Sequence, residues 1–137
     1  MLICEFRQAL ISDFEEIDKF DIFAGDRKAE IQREECYVAT LAKRITGYVT
    51  FDYTFYGRPF LRFLCVCPEL QRKGIGNKLM EFVEEKCKEQ RIFTSTESDN
   101  LAMINLLSKR EYKLSGVIEN LQIQTEIVYC KDIRKEC

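Results

Sequence analysis

Leu64-Cys65-Val66-Cys67-Pro68-Glu69-Leu70-Gln71-Arg72-Lys73-Gly74-Ile75-Gly76-Asn77-Lys78-Leu79 is the stretch that decides the fold of this chain. It begins as an apolar run and leads into a helical pattern over Lys78 to Gln90. Two glycines one residue apart, behind Arg72 and Lys73, therefore stand at a strand-to-helix junction. The first amides of such a helix lack intrahelical acceptors and lie at the positive end of its dipole, which suits an anion. Gly74 and Gly76 let the backbone approach phosphate oxygens, and Arg72 and Lys73 add charge-assisted contacts. Two other phosphate loops are excluded. No Gly-Lys-Ser/Thr is present for a P-loop, and Gly74-Ile75-Gly76 continues as Asn77-Lys78-Leu79 without the third glycine of a dinucleotide fingerprint. Taken alone, the pattern also suits a simple Gly-x-Gly helix cap.

The 137 residues are the length of one ordinary domain, and 46% hydrophobic residues supply a real core. No run of about 18 apolar residues exists for a transmembrane helix. The opening MLICEFRQAL has an early acid and no basic flank, so no signal peptide is expected. A net charge of −2 argues against nucleic-acid binding through bulk charge, and no membrane partner is expected. The seven cysteines (4, 36, 65, 67, 87, 130 and 137) are odd in number and irregularly spaced, and histidine is absent. Neither a disulfide framework nor a zinc site fits, so no metal is expected and the thiols read as core residues in a reducing cytoplasm.

No repeat or linker divides the chain, which reads as a single domain over 1–137. Ile3 to Arg7 is a short strand, and Ser12-Asp13 can cap a helix running to about Phe20. A second short helix fits Asp26 to Arg33. Cys36 to Ala42 and Ile45 to Tyr53 are strands joined by a turn at Lys43-Arg44. Gly57-Arg58-Pro59 breaks the chain before a strand over Phe60 to Cys67 that is apolar on both faces. Ile75, Leu79, Phe82, Val83 and Cys87 form the buried stripe of a helix. A strand over Arg91 to Thr96 follows. Ser98-Asp99-Asn100 then caps a helix over Leu101 to Arg110, with Ala102, Met103, Leu106 and Leu107 inward. Tyr112 to Val117 and Thr125 to Lys131 close the chain as strands. The order β-α-α-β-β-β-α-β-α-β-β predicts an α/β fold, a mixed sheet with helices on both faces.

The run from Leu64 to Leu79 resembles the acetyl-CoA signature of the GCN5-related N-acetyltransferase (GNAT) family. In that family a strand ending in Val-x-Pro-Glu precedes (R/Q)xxGxG/A at a helix start, and Val66 and Gln71 keep the spacing. Asn100-Leu101-Ala102-Met103 with Lys109-Arg110-Glu111-Tyr112 loosely matches a second family pattern. Glu34 to Ala39 followed by Ile45 to Tyr48 looks like the family's second and third strands. The resemblance implies an α+β fold with a mostly antiparallel sheet of about six to seven strands and a splayed central strand pair. It further implies acetyl-CoA as cosubstrate, with the pyrophosphate on the amides of Arg72, Lys73, Gly74, Ile75, Gly76 and Asn77 and with Gln71 in the motif. The pantetheine arm would pair with the strand Leu64-Cys65-Val66, through the backbone of Leu64 and Val66, and meet the amide of Asn100. Lys109 is placed either to meet the adenosine phosphate or simply on a solvated helix face.

The implied chemistry is acetyl transfer to a primary amine, a small molecule or a protein amine, by direct attack in a ternary complex. An attacking amine must be the free base, and its pKa is typically about 10, so a general base would help. Without histidine, that base is a carboxylate, a tyrosine, a thiolate or ordered water. The glutamate that many relatives carry early in the central strand is missing, its place falling near Phe60 or Leu61. Asp52, Glu69, Glu97 and Glu126 remain. Asp52 comes first because Phe51 to Tyr56 is an aromatic segment able to line an acceptor pocket, and Glu126 second. The tyrosine many relatives place after the Asn is Leu107 here, which leaves Ser95 and Ser108 as hydroxyl donors. An idle acyl-CoA-binding module of the same fold is the alternative, and a homodimer stays open.

Overall fold

The computed structural model describes residues 3–133, so Cys137 lies outside it. Eleven elements follow in chain order: β1 (Glu5–Gln8), α1 (Phe14–Asp18), α2 (Arg27–Gln32), β2 (Cys36–Leu41), β3 (Arg44–Phe55), β4 (Arg58–Val66), α3 (Ile75–Lys86), β5 (Arg91–Glu97), α4 (Leu101–Lys109), β6 (Lys113–Ile118) and β7 (Glu126–Asp132). Single 3₁₀ turns at Ile11–Asp13 and Pro68–Leu70 introduce α1 and the glycine loop. The seven strands form one mixed sheet in the order β1-β2-β3-β4-β5-β7-β6. β4 and β5 are parallel and pair through Phe60↔Phe93 and Leu61↔Thr94, the splayed pair of this fold. β1–β2, β2–β3, β5–β7 and β6–β7 are antiparallel.

Turn chemistry moves two of the expected boundaries. The β2–β3 hairpin turns at Ala42 (φ 50°) and Lys43 (φ 66°), one residue earlier than the sequence suggests. Tyr56 (φ 55°) and Gly57 (φ 71°) make a second two-residue turn. Paired positive φ values match the twist of hairpin strands, so β4 starts at once at Arg58. Pro59 thus lies within the strand rather than breaking it, at its second residue, where proline is tolerated. Asp13 does not cap α1 through its side chain. Its carboxylate instead accepts from Arg7 and from the Leu10 amide.

Contacts divide the chain into two units. One comprises the described residues through Phe51 together with Arg62–Lys86, and the other comprises Asp52–Leu61 with the described residues from Cys87 onward. In the first, Ile17, Ile31, Cys36, Val38, Ile45, Tyr48 and Cys65 form a buried cluster, with Phe14, Phe20 and Phe63 packed against it. α3 buries Ile75, Leu79, Met80 and Val83, while Phe82 stacks on Phe6 and meets the edge of Tyr37. Gly47 of β3 has no room for a side chain. A Cβ there would stand 2.9 Å from the Cys65 carbonyl oxygen and 3.2 Å from Leu79 Cδ1.

In the second unit, Phe55 packs against Phe60 and Phe93. Ile92, Thr94, Leu107, Val128 and Cys130 are buried. Asn100 caps α4 as expected, its side chain accepting from the Met103 amide. Ala102 is exposed rather than inward, because the first turn of α4 projects from the core and only Leu107 is fully covered. The edge strand β6 is exposed along nearly its whole length, and its pairing with β7 shifts register between Leu114 and Gly116.

The first unit also holds a buried charged group. The Arg27 side chain is 2% exposed. Its Nε donates to Asp21 at 2.9 Å, its Nη1 to Glu30, and its Nη2 to the carbonyls of Phe23 and Ala24. The guanidinium lies over the rings of Phe63 and Tyr48, at 4.8 and 5.1 Å, and Arg62 approaches Glu30 at 3.7 Å. Burial opposes the charge on Arg27, but Asp21 and Glu30 more than compensate and hold it firmly protonated. Burial and then the 2.5 Å hydrogen bond to Asp21 push the Tyr48 phenol well above its ordinary value, so it stays neutral. Removing one member of a buried charge set leaves the others uncompensated. Arg27→Met is therefore expected to destabilise the protein by about 3–5 kcal/mol, read as a lower urea midpoint.

Candidate active site

The loop after β4 has the form its sequence asks for. Gln71 to Gly74 are exposed and α3 begins at Ile75. Arg72 (φ 64°) and Gly74 (φ 88°) adopt left-handed conformations two residues apart. Left-handed residues in such a turn are the kind of backbone from which anion-binding concavities are built. Arg72 adopts this conformation despite its Cβ, at a cost of about 1–2 kcal/mol, the kind of strain that collects at functional sites. Gly76 falls within the first turn of α3 and has no left-handed φ. The Gln71 side chain folds back and donates to the Val66 carbonyl at 3.1 Å, tying the loop to the end of β4. Leu64 and Val66 are half-buried, and Cys65 is buried with its thiol 3.7 Å from the Phe20 carbonyl.

Beside the end of β4 is a cavity of about 970 Å³ whose lining includes Glu15, Glu16, Lys19, Asp21, Arg44 and Glu69. Carboxylates outnumber cations there. Glu16 accepts from the Ile45 amide at 2.6 Å, and Glu69 is paired with Arg44. Glu69 thus serves an exposed ion pair.

The cysteines near this site are poor nucleophiles. Six free thiols occur among the described residues, and all but Cys4 are buried. Burial raises the Cys65 and Cys67 thiols, with nearby Glu69 adding to the effect on Cys67. Burial pushes Cys36 up to about 12.

The other carboxylate candidates, Asp52, Glu97 and Glu126, lie in the second unit. Asp52 is buried at 3% exposure, and its Oδ1 accepts from the Thr54 amide at 2.9 Å and the Thr54 hydroxyl at 2.7 Å. Its carboxylate therefore organises the end of β3. The aromatic segment around it is also committed, since Phe55 packs on Tyr56, Phe60 and Phe93 and the Tyr53 hydroxyl donates to Glu89. Glu126 is half-buried on β7. One oxygen accepts from the Ser95 hydroxyl at 2.6 Å and the other from the Gln122 amide at 3.2 Å. Glu97 stands directly opposite it on β5. Leu107 is fully buried, and Tyr112 is buried with Lys131 5.6 Å from its ring centre. Lys109 and Ser108 are exposed. Pattern reading had Ser95 and Glu126 as separate candidates. Their pairing follows from the β5–β7 register, which no local signal carries. No cluster of metal-ligating side chains occurs among the described residues.

These features can be set beside known proteins. The model of the acetyltransferase (GNAT) family matches residues 3–112. No curated protein sequence matches the chain. A GNAT-family acetyltransferase from Bacillus cereus superposes with a TM-score of 0.86 at 25% identity, covering 95% of this chain and 97% of that one. The ribosomal-protein-S18-alanine N-acetyltransferase of Escherichia coli gives 0.82 at 14% identity, over 98% and 97% of the two chains. A Salmonella typhimurium protein described as an acetyltransferase, solved with its cofactor acetyl-CoA, gives 0.74 at 16% identity over 97% and 95%. With the strained loop at the start of α3, the splayed β4–β5 pair and a family match across most of its length, the chain belongs to the GNAT acetyltransferase family.

Proposed function

We propose that the chain acts as a single-domain N-acetyltransferase, moving acetyl from acetyl-CoA to a primary amine by direct attack in a ternary complex. The observation that carries this reading is the loop from Gln71 to Asn77, whose left-handed Arg72 and Gly74 precede the N-terminus of α3. Its donors suit a pyrophosphate: the exposed backbone of Gln71 to Gly74 leading into a helix N-terminus, with the cationic side chains of Arg72 and Lys73. On this reading the backbone of Leu64 and Val66 pairs with pantetheine beside Cys65, and Asn100 meets it through its NH₂ group. That a relative is solved with acetyl-CoA, and another is named for acetylating an alanine of a ribosomal protein, supports the class of reaction. The carboxylates lining the cavity beside β4 favour a cationic acceptor. A cytoplasmic site of action belongs to the same proposal. The alternative, a binding module without turnover, is favoured by Leu107, which stands where relatives carry a tyrosine.

Substitution of the two glycines should separate strain from approach. Gly74→Ala forces a Cβ onto φ 88° and is expected to cost about 1–2 kcal/mol of stability, although nothing lies within 4 Å of that Cβ. Gly76→Ala, within a helix, should be neutral or stabilising by up to about 1 kcal/mol. Both should weaken CoA binding by about 5- to 150-fold, the loss of one or two amide–phosphate contacts. Calorimetry that finds CoA affinity unchanged in both folded variants rejects the site.

Turnover with a panel of amines, followed by free thiol release, tests the reaction itself. If ordered water relays the proton, rate should rise with pH toward the pKa of the amine, about 10. Asp52 and Glu126 are the proposed bases. The amide of the true base should lower turnover by about 10²–10⁴ with little change in CoA affinity. Wild-type rates for both Asp52→Asn and Glu126→Gln across the pH range would leave ordered water as the proton acceptor.

No acetyl-enzyme is expected, because burial keeps Cys65 and Cys67 protonated and no histidine is available to activate them. Incubation with radiolabelled acetyl-CoA and no acceptor should leave the protein unlabelled.

A further inference from the structure

We infer that the second unit carries a binding site of its own, for a compact monocarboxylate with a flat apolar body. The inference does not rest on the acetyl-transfer reading. A cavity of about 450 Å³ has Arg58, Pro59, Glu89, Gln90, Arg91 and Phe93 in its lining, all of them residues of this unit. Its volume falls among those of small-molecule sites, about 300–1,000 Å³. The Phe60↔Phe93 pair sets the start of β4 beside the start of β5, which brings these residues together. Phe55 packs on both rings of that pair, with its own ring 5.4 Å from Phe93, so the apolar wall is fixed from behind. Phe93 is half-buried and Pro59 is buried.

The charges of the lining define the ligand. Arg58 is exposed, and its side chain makes no hydrogen bond or ion pair among the described residues. Arg91 is anchored, its Nε donating to Asp132 at 2.6 Å, and it keeps further N–H donors. Asp132 also stands 3.6 Å from Lys113 Nζ. Glu89 supplies the opposing charge and accepts from the Tyr53 hydroxyl at 2.7 Å and the Cys87 thiol at 3.6 Å. Three cations, Arg58, Arg91 and Lys113, thus stand against two carboxylates, Glu89 and Asp132. A single negative charge balances the set. A phosphate dianion overshoots it and is repelled by Glu89, and an amine is repelled by both arginines. A carboxylate matches the guanidinium fork, and a planar ring suits both the guanidinium plane and the face of Phe93.

Benzoate is the probe, with cyclohexanecarboxylate, phenyl phosphate and benzylamine beside it, each followed by amide shifts in an NMR titration of the labelled protein. Benzoate is expected to saturate with a Kd on the order of 1 mM and to move the amides of Arg58, Gln90, Arg91 and Phe93. Cyclohexanecarboxylate, equally charged but not flat, should bind more weakly, and benzylamine should leave these amides in place. Arg58→Gln breaks no side-chain contact among the described residues and should weaken benzoate about tenfold, while Arg58→Lys should recover only part of the loss. Glu89→Gln has the opposite sign. It should tighten benzoate by about 2- to 5-fold, and phenyl phosphate by more. The site is overturned if benzoate does not saturate at tens of millimolar, or if Arg58→Gln and Glu89→Gln both leave its affinity unchanged. Benzylamine or cyclohexanecarboxylate binding as tightly as benzoate overturns the assigned ligand class.

Discussion

A guanidinium cannot be left bare in a protein interior, and that constraint at Arg27 organises the first unit. To cover one charge the chain brings in the carboxylates of Asp21 and Glu30 and the carbonyls of Phe23 and Ala24. It also brings the ring of Phe63 from β4 and that of Tyr48 from β3. The segment between α1 and α2 is too short to hold a shape by its own propensity. It is fixed because three of its polar groups, the Asp21 carboxylate and the Phe23 and Ala24 carbonyls, are bonded to one cation. Asp21 is bound on both sides, by Arg27 and by the Tyr48 hydroxyl. The same residue also lines the cavity beside β4, so the interior charge set and the outer shape of the site are parts of one network.

The glycine loop solves a different problem. Its backbone must turn after β4 so that α3 can begin at Ile75. Left-handed residues make that turn, and the Gln71 bond to Val66 ties it to the strand end. Here local strain is offset by local hydrogen bonding.

Features that rest on neighbours in the chain were legible in the sequence. The loop and the stripe of α3 depend on spacings of a few residues, as do the Asn100 cap and the alternation of strands and helices. What was illegible depends on distant pairing. Arg27 and Glu30 fall in a short helix whose sequence does not announce the rings of Tyr48 on β3 and Phe63 on β4 that lie against the guanidinium. Gly47 reads as an ordinary strand glycine, and its necessity appears only with the Cys65 carbonyl against it. Pro59 reads as a breaker because the turn at Tyr56 and Gly57 is not announced by the usual Asn-Gly pair. Ser95 and Glu126 are 31 residues apart, and only the strand order β5-β7-β6 puts them side by side.

The exposed edge strand β6 carries a consequence for how copies of this chain behave when crowded. Leu114, Val117 and Ile118 lie largely open to solvent on an edge that ends the sheet, an arrangement that invites a foreign strand to extend the ladder. The register shift between Leu114 and Gly116 interrupts the edge at its middle, and Lys113 places a charge at its start. An incoming strand would have to reproduce the offset before it could zip. Fibrous growth from this edge is thereby impeded by backbone geometry, leaving the apolar side chains in place.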